Sequence, residues 1–272
     1  IEAAACEPEV VDLGACLNQM GARIEGLGTP RIEIEGVERL GAARHRVIPD
    51  RIEAATLLIA AAITGGQIDI SPVRPDHLVA VREVLERTGV RIEQLATESV
   101  SHPGQVTLRA TAPDVIAPTT LTALPYPGVP TDIQAQLMAL LCLADGISVI
   151  TDKVFPDRFL HAAELVRLGG RISREGPTAV IHGVRQLSGA NVMAGDLRAS
   201  AALVLAALAA SGPSTIRRIY HLDRGYQRLD DKLNLLGADV TRTGDSRGPS
   251  PPHWDIGTTA RTDHSGRRVA GG

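Results

Sequence analysis

Four short stretches place charged side chains beside helix starts, where anion and proton chemistry is easily built. PYPGVPTDIQAQ (125–136) fixes a loop with three prolines and one glycine, and delivers Asp132 to the start of an apolar run. VFPDRF (154–159) carries Val154, Phe155 and Arg158 off the end of a strand pattern. GDLRAS (195–200) puts a second aspartate, Asp196, at a helix start, followed by Leu197 and Arg198. YHLDRGYQR (220–228) sets Arg224 between two tyrosines. Singly, each reads first as a structural device: an aspartate N-cap, or a hydrophobic staple with a surface arginine. Gathered on one face, they supply two carboxylates (Asp132, Asp196) and at least two arginines (Arg158, Arg224), with helix N-termini adding positive potential and free N–H groups. Arginine forks grip carboxylates and phosphates, and a neighbouring carboxylate can take a proton. The pattern suits a site that holds an anion and moves a proton.

The elements that must position these residues repeat along the chain. Four amphipathic runs close on Gly21, Gly89, Gly169 and Gly237, spaced 68, 80 and 68 residues apart, and each continues as a short strand pattern. Leu78, Val81, Val84 and Leu85 of the second run fall on one helical face. The closing glycines are predicted left-handed helix terminators. A second element, from Asp50, Asp132 and Asp196, is an aspartate followed by a helix apolar nearly all round, then a glycine and a strand. Such helices are buried on several sides. The predicted unit is strand, Asp-capped buried helix, strand, exposed helix, strand. Three units span residues 49–243, and the four motifs fall at their strand-to-helix junctions. The fold class is α/β (α+β), a three-repeat βαβαβ lobe with buried helices inside and sheets outside. Residues 1–48 hold only the second half of a unit, ending in RIEIEGV (31–37), and a half unit opening on Ile1 leads to the expectation of sequence upstream. Residues 244–272, rich in Gly, Pro, Ser and Arg, are expected to form a disordered tail.

Composition excludes several classes. The chain has 272 residues, 44% apolar and 22% charged, which supports a sizeable core. A net charge of −3 argues against a dedicated nucleic-acid binder. No apolar run reaches a membrane-span length. Cys6, Cys16 and Cys142 are odd in number and have no metal-ligand spacing, which fits a reducing cytoplasm. No P-loop, GxGxxG, HExxH or GxSxG is present, and no metal or cofactor is expected. Cys142 reads as inert core. His45, His77, His102 and His182 read as surface or strand positions, with His161 and His221 as weaker site candidates. Aromatic residues are only 2% of the chain, and Tyr126, Phe155, Phe159, Tyr220 and Tyr226 all lie in or beside the motif loops, which assigns the rings to the site face.

With EPEVVDLGACLNQMGARIEG, RVIPDRIEAATLLIAAAITGG, PGVPTDIQAQ, VFPDRFLHAAEL, VMAGDLRASAALVLA and YHLDRGYQRLDDKL in this order, residues 1–243 resemble the enolpyruvyl transferases, within them the branch acting on UDP-N-acetylglucosamine. The resemblance implies two lobes, each of three repeats about a pseudo-threefold axis, with the site between them. Residues 49–243 are then one lobe and residues 1–48 a remnant of the other. It implies that the sugar 3′-hydroxyl adds to phosphoenolpyruvate and that a tetrahedral intermediate expels phosphate, in the first committed step of peptidoglycan synthesis. It casts Asp132 as the base on the sugar hydroxyl, Val154 as a backbone contact to the sugar nucleotide, and Arg158 and Arg224 as the anion clamp. Asp196 falls near the methylene carbon, with Leu197 and Arg198 beside it. The implied partners are the two small-molecule substrates and a missing lobe, without nucleic acid or membrane; the lobe that carries the family's catalytic loop has no counterpart here, so the chain alone is expected to be inactive. Asp157 replaces the usual Asn of the VFxNRF pattern and is expected to weaken anion binding by Arg158. A sister transferase taking shikimate phosphate, and a non-catalytic domain of the same fold, are the alternatives.

Overall fold

Three apolar helices form the centre of the molecule. A computed structural model describes residues 1–95 and 104–243. The central helices are α2 (Arg51–Thr64), α4 (Thr131–Leu141) and α6 (Leu197–Ala209). All three pack against one another. Leu58, Ile59, Ile133, Leu137, Leu140 and Leu203 are fully enclosed there. Each such side chain withdrawn from water contributes roughly 1.5–3 kcal/mol. Asp50 caps α2, accepting from the Ile52 and Glu53 N–H groups at 2.7 and 3.0 Å. Asp196 does the same for α6 through Arg198 and Ala199, both at 2.8 Å.

The other four helices are amphipathic: α1 (Pro8–Gln19), α3 (Val79–Arg87), α5 (Leu160–Arg167) and α7 (Leu229–Leu235). The glycine after each is left-handed, with φ of +99°, +94°, +95° and +100° at Gly21, Gly89, Gly169 and Gly237. Leu78, Val81, Val84 and Leu85 point inward from α3 and its N-cap, as the spacing predicts. The terminators and the inward face are therefore where the sequence puts them.

Small sheets wrap this centre. An antiparallel pair, β1 (Arg23–Glu25) and β2 (Glu33–Glu35), follows α1. In the first repeat β3 (Gln67–Val73) and β4 (Arg91–Leu95) flank β5 (Val106–Thr111), both antiparallel to it. In the second, β6 (Thr120–Ala123) runs parallel to β7 (Ile147–Asp152) across α4, and β9 (Thr178–His182) pairs antiparallel with β7 and with β8 (Arg171–Glu175). In the third, β10 (Leu187–Ser188) and β11 (Asn191–Met193) run parallel to β12 (Ala210–Ser211) and β13 (Thr215–Arg217) across α6.

This α/β architecture adds to the predicted unit and corrects it in places. The first two repeats carry a strand absent from the predicted unit, the hairpin strand β5 or β9, which sits between two other strands of its sheet. No strand leads directly into α2, where residues 38–50 are irregular. Asp239 and Val240 form no strand, because no neighbour pairs with them among the described residues. The Asn234 side chain instead brackets Val240, donating to its carbonyl and accepting from its N–H. Asn18 brackets Ile24 in the same way, three residues before its own closing glycine. His45 is not a surface side chain; it sits between Gln19 and Asp12. The tail expected at 244–272 and His102 lie outside the described residues. No helix among the described residues is long and apolar enough to cross a membrane.

Candidate functional site

The chain brings Asp132, Arg158, Asp196 and Arg198 together. Proline 130, not Asp132, occupies the N-cap of α4, and Asp132 is the second residue of that helix. The cap reading of Asp132 is thus wrong, and its carboxylate is free for other partners. Arg158 Nη1 donates to Asp132 Oδ1 at 2.8 Å. Arg198 Nη2 donates to Asp132 Oδ2 at 3.3 Å. Arg158 Nε lies 3.8 Å from Asp196 Oδ2, the oxygen that α6 does not use for capping. Two carboxylates and two guanidinium groups therefore meet across the starts of α4 and α6.

Burial alone would push the Asp132 carboxyl up, but Arg198 and then Arg158 outweigh it and hold the group below the ordinary carboxylate range. Asp132 is accordingly ionised at neutral pH and stays half-open to solvent at 37% side-chain exposure. It can accept a proton from an incoming hydroxyl, while the remaining N–H groups of the arginines are available to an anion.

Each charged group is held by a specific support. Arg158 leaves the loop after β7, which the buried carboxylate of Asp152 shapes. Asp152 Oδ1 accepts from Val154 N at 2.9 Å and Phe155 N at 2.8 Å, and Oδ2 accepts from Thr131 Oγ1 at 2.7 Å. One aspartate thereby ties the VFPDRF loop to the first turn of α4. The Val154 N–H is occupied by this turn. Arg158 lies over the exposed Phe155 ring, 5.7 Å from its centroid. Arg198 lies over the Tyr226 ring at 5.8 Å. The side chain of Leu197 packs against Gly225; a Cβ there would come within 2.7 Å of Leu197 Cδ2. Arg224, the residue before Gly225, is exposed and forms no ion pair among the described residues.

Three expectations change. Asp157 does not burden Arg158: its side chain is fully exposed and pairs with Arg174 Nη2 at 2.9 Å. The rings are not all kept for the charged cluster, since Phe159 is buried under Arg174 and Tyr220 carries Arg218. Arg224 does not join the charged cluster directly. Cys142 is buried as expected, and burial pushes its thiol up to about 12. The sequence also gave no warning of Asp152, or of Arg51, whose fork clasps Glu9 at 3.0 and 2.8 Å. Asp152 is the last residue of β7, and nothing in its spacing marks a buried carboxylate that holds the following loop. His161, weak on sequence, is buried behind the cluster with Nε2 unpartnered.

The family model for EPSP synthase (3-phosphoshikimate 1-carboxyvinyltransferase) matches residues 1–233. UDP-N-acetylglucosamine 1-carboxyvinyltransferase of Rhodopseudomonas palustris (strain TIE-1) is 52% identical over 242 residues, 89% of this chain and 54% of that protein. The protein of the same description from Xylella fastidiosa (strain M23) is 52% identical over 242 residues, 89% of this chain and 55% of that protein. Among solved structures, the enolpyruvyl transferase NikO from Streptomyces tendae superposes with a TM-score of 0.73 at 31% identity, covering 88% of this chain and 55% of that one. EPSP synthase from Acinetobacter baumannii gives a TM-score of 0.65 at 20% identity over 84% of this chain and 55% of that one, a likeness of fold alone. The chain spans about half the length of the curated relatives it matches.

Proposed function

The chain belongs to the EPSP synthase family, and from that premise we propose that it is part of an enzyme that transfers the enolpyruvyl group of phosphoenolpyruvate to the 3′-hydroxyl of UDP-N-acetylglucosamine, releasing phosphate. The acceptor is supported by 52% identity to relatives named for that sugar nucleotide. The reading places the chain in cytoplasmic peptidoglycan synthesis, and so in cell shape and division. It also assigns residues 49–243 to one lobe and residues 1–48 to the other.

One observation carries the mechanism: Asp132 heads a buried helix without capping it and faces two arginines. In the reading, the phosphate and carboxylate of phosphoenolpyruvate draw on Arg158, with Arg224 closing from the rim. As the anion takes up their N–H groups, Asp132 loses compensating positive charge, and its affinity for the hydroxyl proton rises. The 3′-oxygen bonds to C2 of phosphoenolpyruvate while a proton goes to C3. The tetrahedral intermediate then loses a C3 proton and expels phosphate, restoring the double bond. Asp196 stands near the carbon end of this exchange. The group that protonates C3 falls to the lobe this chain does not span, so the chain alone is expected not to turn over.

The test is complementation. The chain is joined to the part of the R. palustris relative that it does not match, and phosphate release from phosphoenolpyruvate is followed. Release with UDP-N-acetylglucosamine and not with shikimate 3-phosphate is expected. Asp132→Ala should abolish it, with only a small change in melting temperature. Release with shikimate 3-phosphate instead would overturn the acceptor assignment, and near-normal turnover in Asp132→Ala would overturn the base.

A further inference from the structure

The three repeats meet at a buried polar contact that no single repeat contains. Thr56 on α2, Gln136 on α4 and Tyr226, just before α7, converge at the molecular centre, and all three are enclosed. Thr56 Oγ1 donates to the Ile52 carbonyl at 2.9 Å and lies 2.9 Å from Tyr226 Oη. Gln136 Nε2 lies 3.1 Å from Tyr226 Oη, 3.2 Å from Thr56 Oγ1 and 3.0 Å from the Asp132 carbonyl. With the Thr56 proton on the Ile52 carbonyl, the consistent order has Tyr226 donating to Thr56 and accepting from Gln136. Because the Asp132 carbonyl only accepts, the amide must present its nitrogen inward.

The two outputs of this contact are both parts of the charged cluster. One is the backbone of Asp132, held through Gln136. The other is Arg198, whose guanidinium rests on the Tyr226 ring and reaches both Asp132 oxygens within 3.3 Å. Arg198 Nε is enclosed without a well-directed acceptor, so the ring and the charge, rather than a full fork, hold it in place. A buried arginine held in this way goes where its platform goes.

We propose that Tyr226 is a positioning residue for the site. Its hydroxyl locks the three repeats together, and its ring sets Arg198 against Asp132. The proposal rests on Asp132 being the working carboxylate of the reaction above, but its test needs no turnover.

The test reads the Asp132 carboxyl by ¹³C NMR titration of the chain without substrate, the resonance being assigned by its loss in Asp132→Asn. Tyr226→Leu removes ring and hydroxyl; it should shift the Asp132 midpoint upward, because Arg198 no longer holds its place. Tyr226→Phe keeps the platform and should give a smaller shift of the same sign. Leu85→Ala, in the core of the first repeat, loosens the fold without touching the contact and should leave the midpoint in place. An unmoved midpoint in Tyr226→Leu would overturn the proposal, as would an equal shift in Leu85→Ala. If circular dichroism shows Tyr226→Leu unfolded, Tyr226→Phe decides, and an unmoved midpoint there overturns the proposal equally.

Discussion

Arginine–aromatic pairing is the recurring device at the residue scale. Each of the five described Phe and Tyr rings carries a guanidinium within 5.1–5.9 Å of its centroid: Arg51 on Tyr126, Arg158 on Phe155, Arg174 on Phe159, Arg198 on Tyr226 and Arg218 on Tyr220. Scarce rings serve as platforms for long charged side chains, which would otherwise lose several rotatable bonds of entropy on being fixed. Sequence spacing assigned Asp132, Asp196, Arg158 and Arg224 to one face; the structure gathers the first three and supplies Arg198 where Arg224 was expected. Spacing could not reveal Asp152 or the partners of Tyr226, whose roles exist only once separate repeats meet. His161 offers a test of the buried shell behind the cluster. Burial pushes its imidazole down to about 4; Asp196 and Asp152 oppose the shift, and Arg158 adds to it. The unfolded chain takes up a proton near pH 6.5 while the folded chain resists it to about 4. Full stability is therefore present above pH 6.5 and is lost progressively down to pH 4, by about 3 kcal/mol from this group. Urea unfolding at pH 7 and pH 4 should show His161→Leu losing less stability than the parent between the two. An identical loss would mean that His161 is not the buried neutral group.

At the scale of elements, an aspartate at a helix start has two uses, and this fold separates them. Asp50 only caps, Asp132 only faces the arginines, and Asp196 does both with different oxygens. The sequence showed three equivalent aspartates. What distinguished them was the register of each helix, set at Asp132 by Pro130 taking the cap position. The hairpin strands β5 and β9 were likewise hidden, since their place between two other strands is decided by pairing and not by local pattern. Asp196 allows cap and charge to be measured apart. Asn caps a helix about as well as Asp. Asp196→Asn should thus keep the chain's stability within about 0.5 kcal/mol while removing the charge near Arg158. Asp196→Ala should cost about 1 kcal/mol through the lost cap. Denaturant unfolding gives the stabilities. In the complemented enzyme both variants should lose turnover, and an active Asp196→Asn would reduce Asp196 to a cap.

On the scale of the whole molecule, the core belongs to residues 52–240. Neither apolar cluster, nor the half-buried side chains packed on them, includes a residue from 1–48. That leading segment packs largely on itself, with Gly14 against Leu27 and Gly28 against Val11. Its described ion pair to the rest is the Glu9–Arg51 clasp, in which Arg51 is enclosed at 8% exposure and Glu9 is half open. Arg51 in turn stacks on Tyr126, in the loop that leads to Asp132. The segment is thus fastened to residues 49–243 beside the loop that leads to Asp132 but contributes little to their core. Residues 49–243, expressed alone, should therefore fold, with a far-ultraviolet spectrum and a cooperative melt like those of the longer chain. The melting temperature should fall, because Arg51 is left buried without its carboxylate, a loss of about 1–3 kcal/mol. Glu9→Gln in the longer chain should reproduce most of that loss, and Arg51→Met in residues 49–243 should recover part of it by replacing an uncompensated charge with an apolar side chain. Failure of residues 49–243 to fold, with Arg51→Met giving no rescue, would mean that the leading segment is part of the same folding unit and that the lobe boundary at residue 49 is misplaced.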